Sequence, residues 1–353
     1  MMDGSDTDIK YDQNGVCNHC LNAQIELKLC EKEKPNLNST ISLIKSSRKG
    51  DYDCLIGLSG GVDSTMALHE AIQLGLKPLV FTMDNGYNDP RADANVLQIV
   101  EKLKVPLIRY VLDLDKFRDV QSAYLKAGLI NVEAVYDHLL MGATYEMCQK
   151  YGIKWVISGG NMATESIMPA SWSYTARDLV NIKDIYRNQK GRELKGEYGR
   201  FPLVSLWKFN YYRWWKGIKT LYLLDYLEYH REESIKLLQK EYLYNPYGDK
   251  HCENTFTWWF QNFYLFQKFG IDKRKAHYSS LINSGQMKRR EAMEALSASP
   301  IFPELGIEAK VLKYPKGRHE DYKTDEFWWN LGCKLIKFLR KYGVVRRISN
   351  NVA

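Results

Sequence analysis

The sequence predicts an α/β fold: a Rossmann-like, doubly wound parallel sheet with a small cysteine-containing N-terminal segment and a helical C-terminal region. Between residues 51 and 160, apolar segments of strand length alternate with amphipathic helical segments. This alternation is typical of a parallel sheet that is covered by helices on both faces. The chain has 353 residues, which is enough for a large core and two domains.

The individual elements follow from apolar runs and from the polar or glycine residues that bound them. Strands are expected at residues 54–58, 78–83, 106–112, 154–158 and about 220–224. Helices are expected at residues 64–74, near 91–103, in two stretches within 115–150, and at 232–242. Residues 165–215 are predicted to be irregular, and a long loop beside a ligand-binding edge is often a lid over the second substrate.

The C-terminal part of the chain is predicted to be helical and rich in aromatic residues. Residues 255–269 are aromatic on nearly every side, so we expect this helix to be buried or to lie at an interface. A last helix over residues 326–342 has an apolar face with lysines and arginines among it. We expect that face to pack on the core. The predicted domains are residues 1–45, 46–235 and 236–353.

Composition narrows the class of protein. The formal charge of +8 suits an anionic ligand, although a solvated surface would have the same charge. No apolar run reaches transmembrane length, and the N-terminus lacks a signal pattern, so we expect a cytoplasmic protein without a membrane span. Seven cysteines, an odd and mostly scattered set, argue against a disulfide framework.

The main motif is Ser59-Gly60-Gly61-Val62-Asp63-Ser64, between the first predicted strand and the first helix. Backbone N–H groups at a helix N-terminus hold anions, and glycines let the backbone approach a phosphate closely. We expect all six residues to bind phosphates, with Ser59, Asp63 and Ser64 in catalytic roles. Because a carboxylate repels phosphate, Asp63 is interpreted as a ligand of phosphate-bound Mg²⁺. No Gly-Lys-Ser/Thr follows, so the motif is not a Walker A loop.

Polar residues also follow two other predicted strands. Asp84 ends the second strand, and Gly159, Gly160 and Asn161 end the fourth, with Glu165 shortly after. In a doubly wound sheet the ligand lies outside the carboxyl ends of the strands. We therefore expect Asp84, Gly159 and Gly160 to contact the nucleotide, and Asn161 and Glu165 to face the second substrate.

Cys17 and Cys20 form a CxxC pair after Gly15. Two thiolates can fill two corners of a zinc tetrahedron, and His19, Cys30 or Cys252 are candidates for the others. Free thiols are the alternative, and two thiolates alone rarely hold zinc.

A further cluster lies at residues 272–277, where Lys273, Arg274 and His277 are candidates for holding a diphosphate. A solvated helix end is the alternative explanation for the same charges. No general base can be assigned from the sequence; Glu165, Glu253, His251 and His277 are candidates by their placement alone.

The glycine-rich motif resembles the PP-loop of ATP pyrophosphatases, which cleave ATP between the α- and β-phosphates. Over nearly the whole chain the sequence is similar to the bacterial N-acetyl sugar amidotransferases of surface-polysaccharide and flagellin-glycan biosynthesis. The ordered blocks that carry this resemblance are residues 14–20, 57–64, 158–166, 269–277, 279–282 and 284–286. The later blocks matter most, because PP-loop enzymes in general do not share them.

The resemblance implies a PP-loop fold and a specific reaction. It implies an ATP- and Mg²⁺-dependent conversion of the acetamido group of a nucleotide-linked sugar into an acetamidino group, through an adenylylated imidate. Ammonia would come from a separate glutaminase subunit, similar to that of histidine biosynthesis, and a cyclase-like subunit often accompanies it. Nucleic acid is not an expected partner.

The chain departs from the family at its start. Members usually begin with another CxxC pair upstream, whereas this sequence starts at Met1 with Cys17 as its first cysteine, so a complete four-cysteine zinc site is not expected.

Two other functions remain open at this point. One is a tRNA-thiolating PP-loop enzyme, for which Cys148 or Cys252 would have to carry sulfur, and the other is a nucleotide-binding scaffold subunit without catalysis.

Overall fold

The computed structural model describes residues 1–248, 250–325, 327–329, 331 and 334. Its centre is a parallel sheet of five strands in the order β3-β2-β1-β4-β5. The strands are β1 Cys54–Gly57, β2 Pro78–Asp84, β3 Leu107–Val111, β4 Trp155–Ser158 and β5 Lys219–Tyr222. The predicted fold class, a doubly wound parallel sheet, is confirmed.

The register of the sheet fixes where a ligand can enter. The central strand β1 pairs with β2 on one side, where Cys54 lies opposite Pro78, and with β4 on the other, where Ile56 lies opposite Ile157. The chain adds β2 and β3 on one side of β1 before it crosses to β4 and β5. The carboxyl ends of β1 and β4 therefore form the topological switch point, where ligands bind in sheets of this type.

Helices cover both faces of the sheet and form the C-terminal region. In chain order they are α1 Asn18–Glu33, α2 Leu37–Ser46, α3 Val62–Gln73, α4 Pro90–Leu103, α5 Leu114–Ala127, α6 Ala134–Lys150, α7 Met162–Glu165, α8 Leu179–Lys190, α9 Leu206–Asn210, α10 Arg231–Tyr242, α11 Thr255–Trp259, α12 Arg274–Asn283, α13 Arg289–Ser297 and α14 Glu308–Lys313. Side-chain caps start several of them: Asp89 accepts a hydrogen bond from the N–H of Arg91, and Asp113 accepts one from Lys116.

The two faces of the sheet carry separate apolar cores. Ile56 of β1 belongs to a core with α3, α4 and α10, whereas Leu55, its neighbour in the chain, belongs to a core with α5 and α6. Successive residues of a strand point to opposite faces, which is why a nearly continuous apolar strand serves both cores. The aromatic residues of the C-terminal region join the second core, including Trp259 and Tyr264.

Several sequence-based boundaries need correction. Residues 165–215 are not an irregular region throughout, since α8 and α9 lie within them. The N-terminal segment contains the 16-residue helix α1, which the polar composition did not predict. The predicted helix 255–269 starts as α11 and continues as a π-helix over Phe260–Phe269. The predicted helix 326–342 lies almost entirely outside the described residues. Within the described part of the chain, no helix has both the length and the apolarity to cross a membrane.

Candidate functional site

The glycine-rich motif forms the turn between β1 and α3. Gly60 has a φ of +82°, and a Cβ there would lie 2.3 Å from the carbonyl oxygen of Ala92, so only glycine fits. The N–H of Gly61 donates to Ser59 Oγ at 3.2 Å, and the N–H of Ser59 donates to Ser64 Oγ at 3.2 Å. The turn is thus tightly closed over the N-terminus of α3, where backbone N–H groups favour an anion.

The loop after β4 packs directly against this turn. A Cβ on Gly159 would lie 2.7 Å from both the Cα and the N atom of Ser64. Gly160 is held by a hydrogen bond from its N–H to Ser158 Oγ at 3.1 Å. Two of the three loops expected to meet at the edge of the sheet therefore do meet, and glycine is required for this approach.

A cavity of about 310 Å³ opens over both loops. We call it the loop chamber. Most of its polar wall comes from the predicted residues and from the segment after α10, and its lining includes Ser59, Gly61, Val62, Asp63, Ser64, Gly159, Gly160, Glu165, Arg231, Tyr244, Tyr247, Lys250, His251 and Glu253. Its size lies at the lower end of the range for small-molecule sites.

Two of the predicted site residues, Asp84 and Asn161, do not line the loop chamber. The carboxylate of Asp84 accepts from Arg109 at 3.2 Å and from the N–H of Gly86 at 2.9 Å. Asn161 is buried, and its Oδ1 accepts from the N–H of Thr164 at 2.9 Å, which caps α7. The structure gives Asn161 the role of positioning Thr164 and Glu165.

Asp63 is the centre of the site. Its Oδ1 accepts a hydrogen bond from the hydroxyl of Tyr229, and its Oδ2 lies 2.7 Å from Lys250 Nζ. Burial is the largest single effect and raises the pKa of this carboxyl, but the charge and hydrogen bond of Lys250, the hydroxyl of Tyr229 and the charge of Arg231 together outweigh it. The pKa of Asp63 is therefore lowered below its ordinary value. Asp63 is therefore ionised and held in place from two sides.

Lys250 is the residue that sequence reasoning did not assign. Its ammonium donates to Asp63 Oδ2 at 2.7 Å and to Thr164 Oγ1 at 2.7 Å, and it lies 2.8 Å from Glu165 Oε1. Burial lowers the pKa of Lys250, but the carboxylates of Asp63 and Glu165 together raise it above its ordinary value. Three oxygen atoms thus converge on one cation beside the glycine-rich turn. The sequence marked a polar cluster at 250–253, but no signal indicated Tyr229.

Three further ionisable groups lie beside this cluster. Burial, with the charge of Asp63 adding to it, raises the pKa of Glu253 to about 7. Desolvation lowers the pKa of His251 to about 4 and that of His277 well below its ordinary value, and the two rings lie 5.3 Å apart. At neutral pH both imidazoles are uncharged, and Glu253 is close to half-protonated.

A second cavity of about 350 Å³ adjoins the loop chamber, and we call it the C-terminal chamber. Arg231 and Lys250 line both cavities. The remaining lining is mixed. It combines the cations Lys273 and Arg274, three amides and two carboxylates with other side chains: Gln261, Asn262, Gln286, Glu232, Glu291, Thr164, His277, Tyr278, Leu281 and Met287. Of the five predicted second-substrate residues, Lys273, Arg274 and His277 line this chamber, and Glu165 lines the loop chamber.

The cationic side chains of Lys273 and Arg274 in the C-terminal chamber are partly buried. Desolvation lowers the pKa of Lys273 to about 8. Arg274 is held by Asp272, whose Oδ2 accepts from its guanidinium at 2.7 Å, and it also donates to the carbonyl of Ala298 at 3.0 Å. Lys273 and Arg274 are thus partly buried and have partners, unlike the side chains of a freely solvated helix end, and their role in substrate binding stays a prediction.

The CxxC pair lies apart from both chambers. Cys17 Sγ and Cys20 Sγ are 3.5 Å apart, and Asn283 Nδ2 donates to Cys20 Sγ at 3.4 Å. His19 Nε2 is instead 2.5 Å from Asp6 Oδ2. In the described residues, no group of three or more His, Cys, Asp and Glu side chains is arranged to hold a metal ion. Among these residues, the candidates His19, Cys30 and Cys252 do not complete a zinc site with Cys17 and Cys20.

Comparison with known proteins adds three findings of likeness. A protein of Methanocaldococcus jannaschii described as uncharacterised is 20% identical over 298 residues, which are 84% of this chain and 91% of that protein. The NMN synthetase of Francisella tularensis has a TM-score of 0.38 and 16% identity, over 76% of this chain and 90% of its own. An NH3-dependent NAD synthetase of Campylobacter jejuni has a TM-score of 0.30 and 15% identity, over 46% of this chain and 73% of its own. Such TM-scores are too low to bear on the function.

The family comparison concerns the C-terminal region. Residues 253–328 match the family model described as the C-terminal domain of WbpG-like LPS biosynthesis proteins. The matched segment contains Gln261, Lys273, Arg274 and His277, and so supplies much of the wall of the C-terminal chamber. Over residues 253–328 the chain is therefore similar to the C-terminal domain of the WbpG-like LPS biosynthesis proteins, which is consistent with the resemblance found in the sequence.

Proposed function

We propose that this chain is an ATP-dependent synthetase of LPS biosynthesis that activates a carbonyl oxygen of an anionic sugar substrate and replaces it with nitrogen. The observation that carries the proposal is the pair of adjoining chambers. One is built on a phosphate-binding turn at the switch point of the sheet, and the other is built on the WbpG-like domain. Lys250 and Arg231 lie at the boundary between them.

The loop chamber suits the phosphates of ATP. Ser59, Gly61 and Ser64 place hydroxyl and N–H groups at the N-terminus of α3. A Cβ on Gly61 would lie 3.4 Å from Tyr247 Oη, so the glycine leaves room that a larger residue would fill. The Tyr247 hydroxyl is itself buried, and within the described residues it has no neighbour at good hydrogen-bond geometry apart from a weak approach of Tyr244, as expected of a group that contacts a ligand. These groups would hold the departing pyrophosphate.

The donor set around Lys250 fits Mg²⁺. Asp63, Glu165 and Thr164 converge on one cation with oxygen atoms, which are the ligands that Mg²⁺ prefers. In this role Asp63 and Glu165 would hold the ion, and the ammonium of Lys250 would move to the phosphates. When bound, Mg²⁺ offsets the negative charge that the pyrophosphate gains.

The C-terminal chamber suits a nucleotide-linked N-acetyl sugar. Lys273 and Arg274 would face its diphosphate, and the amides of Gln261 and Gln286 are suited to sugar hydroxyls. The amide oxygen of the acetamido group attacks the α-phosphorus, pyrophosphate leaves, and ammonia then adds to the activated carbon. AMP departs with the former amide oxygen, and an acetamidino group remains. Ammonia would come from a separate glutaminase subunit, with a cyclase-like subunit as a further partner.

The alternative of tRNA thiolation finds no support in the cavity. Cys148 and Cys252 are both buried, and neither is among the residues that line the two chambers. Burial raises the pKa of the Cys148 thiol far above its ordinary value, so it is not a nucleophile.

The test is a reaction with ATP, Mg²⁺, ammonium and a panel of nucleotide-linked N-acetyl sugars. Mass spectrometry should find AMP together with a sugar in which NH replaces O. Glutamine should replace ammonium only when a glutaminase is added. Asp63→Asn should abolish AMP formation, whereas Lys273→Gln should raise the KM for the sugar and leave the KM for ATP near its original value. AMP release that no sugar stimulates, or turnover with glutamine by the isolated chain, would contradict the proposal.

A further inference from the structure

A short helical segment before β5 exposes several large aromatic side chains. Helix α9 continues directly into a π-helical turn, Tyr211–Trp215. Trp207, Trp214 and Trp215 are 84%, 64% and 82% exposed. We call the exposed side chains of this segment the aromatic surface, which comprises Trp207, Lys208, Tyr211, Trp214, Trp215 and Lys216.

The segment has one buried and one exposed face. The aromatic residues of the exposed face recur after four, three and one positions, the spacing of a single helix face. Between them, Phe209 and Tyr212 point inward, with ring centroids 5.8 Å and 4.7 Å from that of Tyr145. The inner face thus anchors the segment to α6, and the outer tryptophans do not contribute to this core.

The charge of the segment is entirely positive. Residues 206–216 contain Lys208, Arg213 and Lys216 and no carboxylate. Tryptophan and tyrosine concentrate at the boundary between membrane and water, and lysine and arginine are attracted to anionic headgroups. Interfaces between proteins are also enriched in tryptophan and tyrosine but depleted in lysine, so the two exposed lysines are what distinguishes this surface from a protein interface. The combination therefore favours an anionic lipid surface over a protein partner.

The position of the surface in the fold is compatible with such binding. The inner side of the segment is covered from the C-terminal region as well, since the rings of Phe209 and Trp329 lie 4.8 Å apart. The segment ends just before Lys219, the first residue of the edge strand β5. It therefore lies towards the amino ends of the strands, whereas both chambers are reached from the carboxyl ends.

We propose that the aromatic surface is a peripheral membrane-binding site that takes the headgroup region of an anionic phospholipid bilayer. The indole rings enter the interface, and Lys208 and Lys216 contact the phosphates of the lipids. Binding in this orientation leaves the chambers open to the aqueous side. This inference does not depend on which reaction the chambers carry out.

The experiment is co-sedimentation of the full chain with vesicles of phosphatidylcholine alone and of phosphatidylcholine with phosphatidylglycerol. The chain should sediment with the anionic vesicles and much less with the neutral ones, and added salt should release it. Combined Lys208→Glu and Lys216→Glu should weaken binding by roughly tenfold or more. Combined Trp207→Ala, Trp214→Ala and Trp215→Ala should abolish it. Lys240→Glu on α10 and Ile301→Ala, both at exposed positions, are the matched controls and should bind normally.

Four outcomes overturn the proposal. One is equal binding to both kinds of vesicle or to neither. Another is vesicle binding that survives the three tryptophan substitutions. Loss of binding in the Lys240→Glu control would likewise overturn it, because the effect of charge would then not be specific to the aromatic surface. The last is a concentration-dependent dimer that the tryptophan variant converts to a monomer without any vesicle binding, which would assign the surface to a second copy of the chain. Unchanged melting temperature and ATP binding in each variant show that the fold is intact.

Discussion

Removal of the Lys250 ammonium is the sharpest perturbation that the site offers. In Lys250→Met, Asp63 keeps the hydroxyl of Tyr229 but loses its countercharge, and Glu165 loses its nearest cation. Removing one partner of a buried ion pair costs about 3–5 kcal/mol, because the other charge stays buried. The side chains of Lys250 and Asp63 remain 15% and 17% exposed, so we expect the low end of that range, about 3 kcal/mol.

The loss should depend on pH in a defined direction. In the wild-type protein the pKa of Asp63 is lowered, because Lys250, Tyr229 and Arg231 together outweigh the effect of burial, with Lys250 contributing most. A carboxyl with a lowered pKa stabilises the fold above its unfolded-state pKa, and this contribution is lost as the pH falls through the folded-state pKa. Without Lys250 burial dominates and raises the pKa. The difference in stability between the two proteins should therefore be largest near neutral pH and narrow as the pH falls towards about 4.

Thermal unfolding at several pH values measures this difference. The melting temperature of Lys250→Met should be several degrees below that of the wild type at neutral pH. Mg²⁺ should raise the melting temperature of the variant more than that of the wild type, since two carboxylates are left to bind it. Lys240→Met at an exposed position of α10 is the control and should behave as the wild type. A melting temperature equal to that of the control, or a difference that does not change with pH, would refute this explanation of Lys250.

Three other predictions concern single residues. Gly159→Ala should abolish ATP binding measured by calorimetry, because the Cβ of the alanine would lie 2.7 Å from the backbone of Ser64. Gly50→Ala is the control and should bind ATP normally, because the Cβ there would meet nothing nearer than 3.5 Å. Burial raises the pKa of Glu133 from 4.5 to about 8, so the wild type should lose stability as the pH rises between these values, and Glu133→Gln should not; equal pH profiles for the two would contradict this. Metal analysis should find less than one zinc per chain, and a full equivalent that disappears in Cys17→Ser would show this to be wrong.

The local patterns predicted the elements of the sheet well. The first strand, the loop 59–64 and the following helix were all predicted, because an apolar strand, two glycines and an amphipathic helix are signals within a few neighbouring residues. Helix α1 was missed, since its residues are mostly polar and lack a continuous apolar face. The π-helical continuation over Phe260–Phe269 was missed for another reason: its aromatic residues recur after three, one, two and three positions, a spacing that fits any helix and does not distinguish the two helix types.

The sequence by itself determined the glycine-rich turn and its place at a strand end, because the pattern of Ser59–Ser64 is contained in consecutive residues. Only the tertiary structure decided which groups surround Asp63. Lys250 and Tyr229 are separated from it by 187 and 166 positions, and no local pattern specifies such a pairing. The fold likewise gave Asn161 to a helix cap, left Asp84 with Arg109, and placed Lys273 and His277 in a second chamber. Burial and partners set the charge of Asp63, Lys250, Lys273 and His277, and both depend on packing between distant segments of the chain.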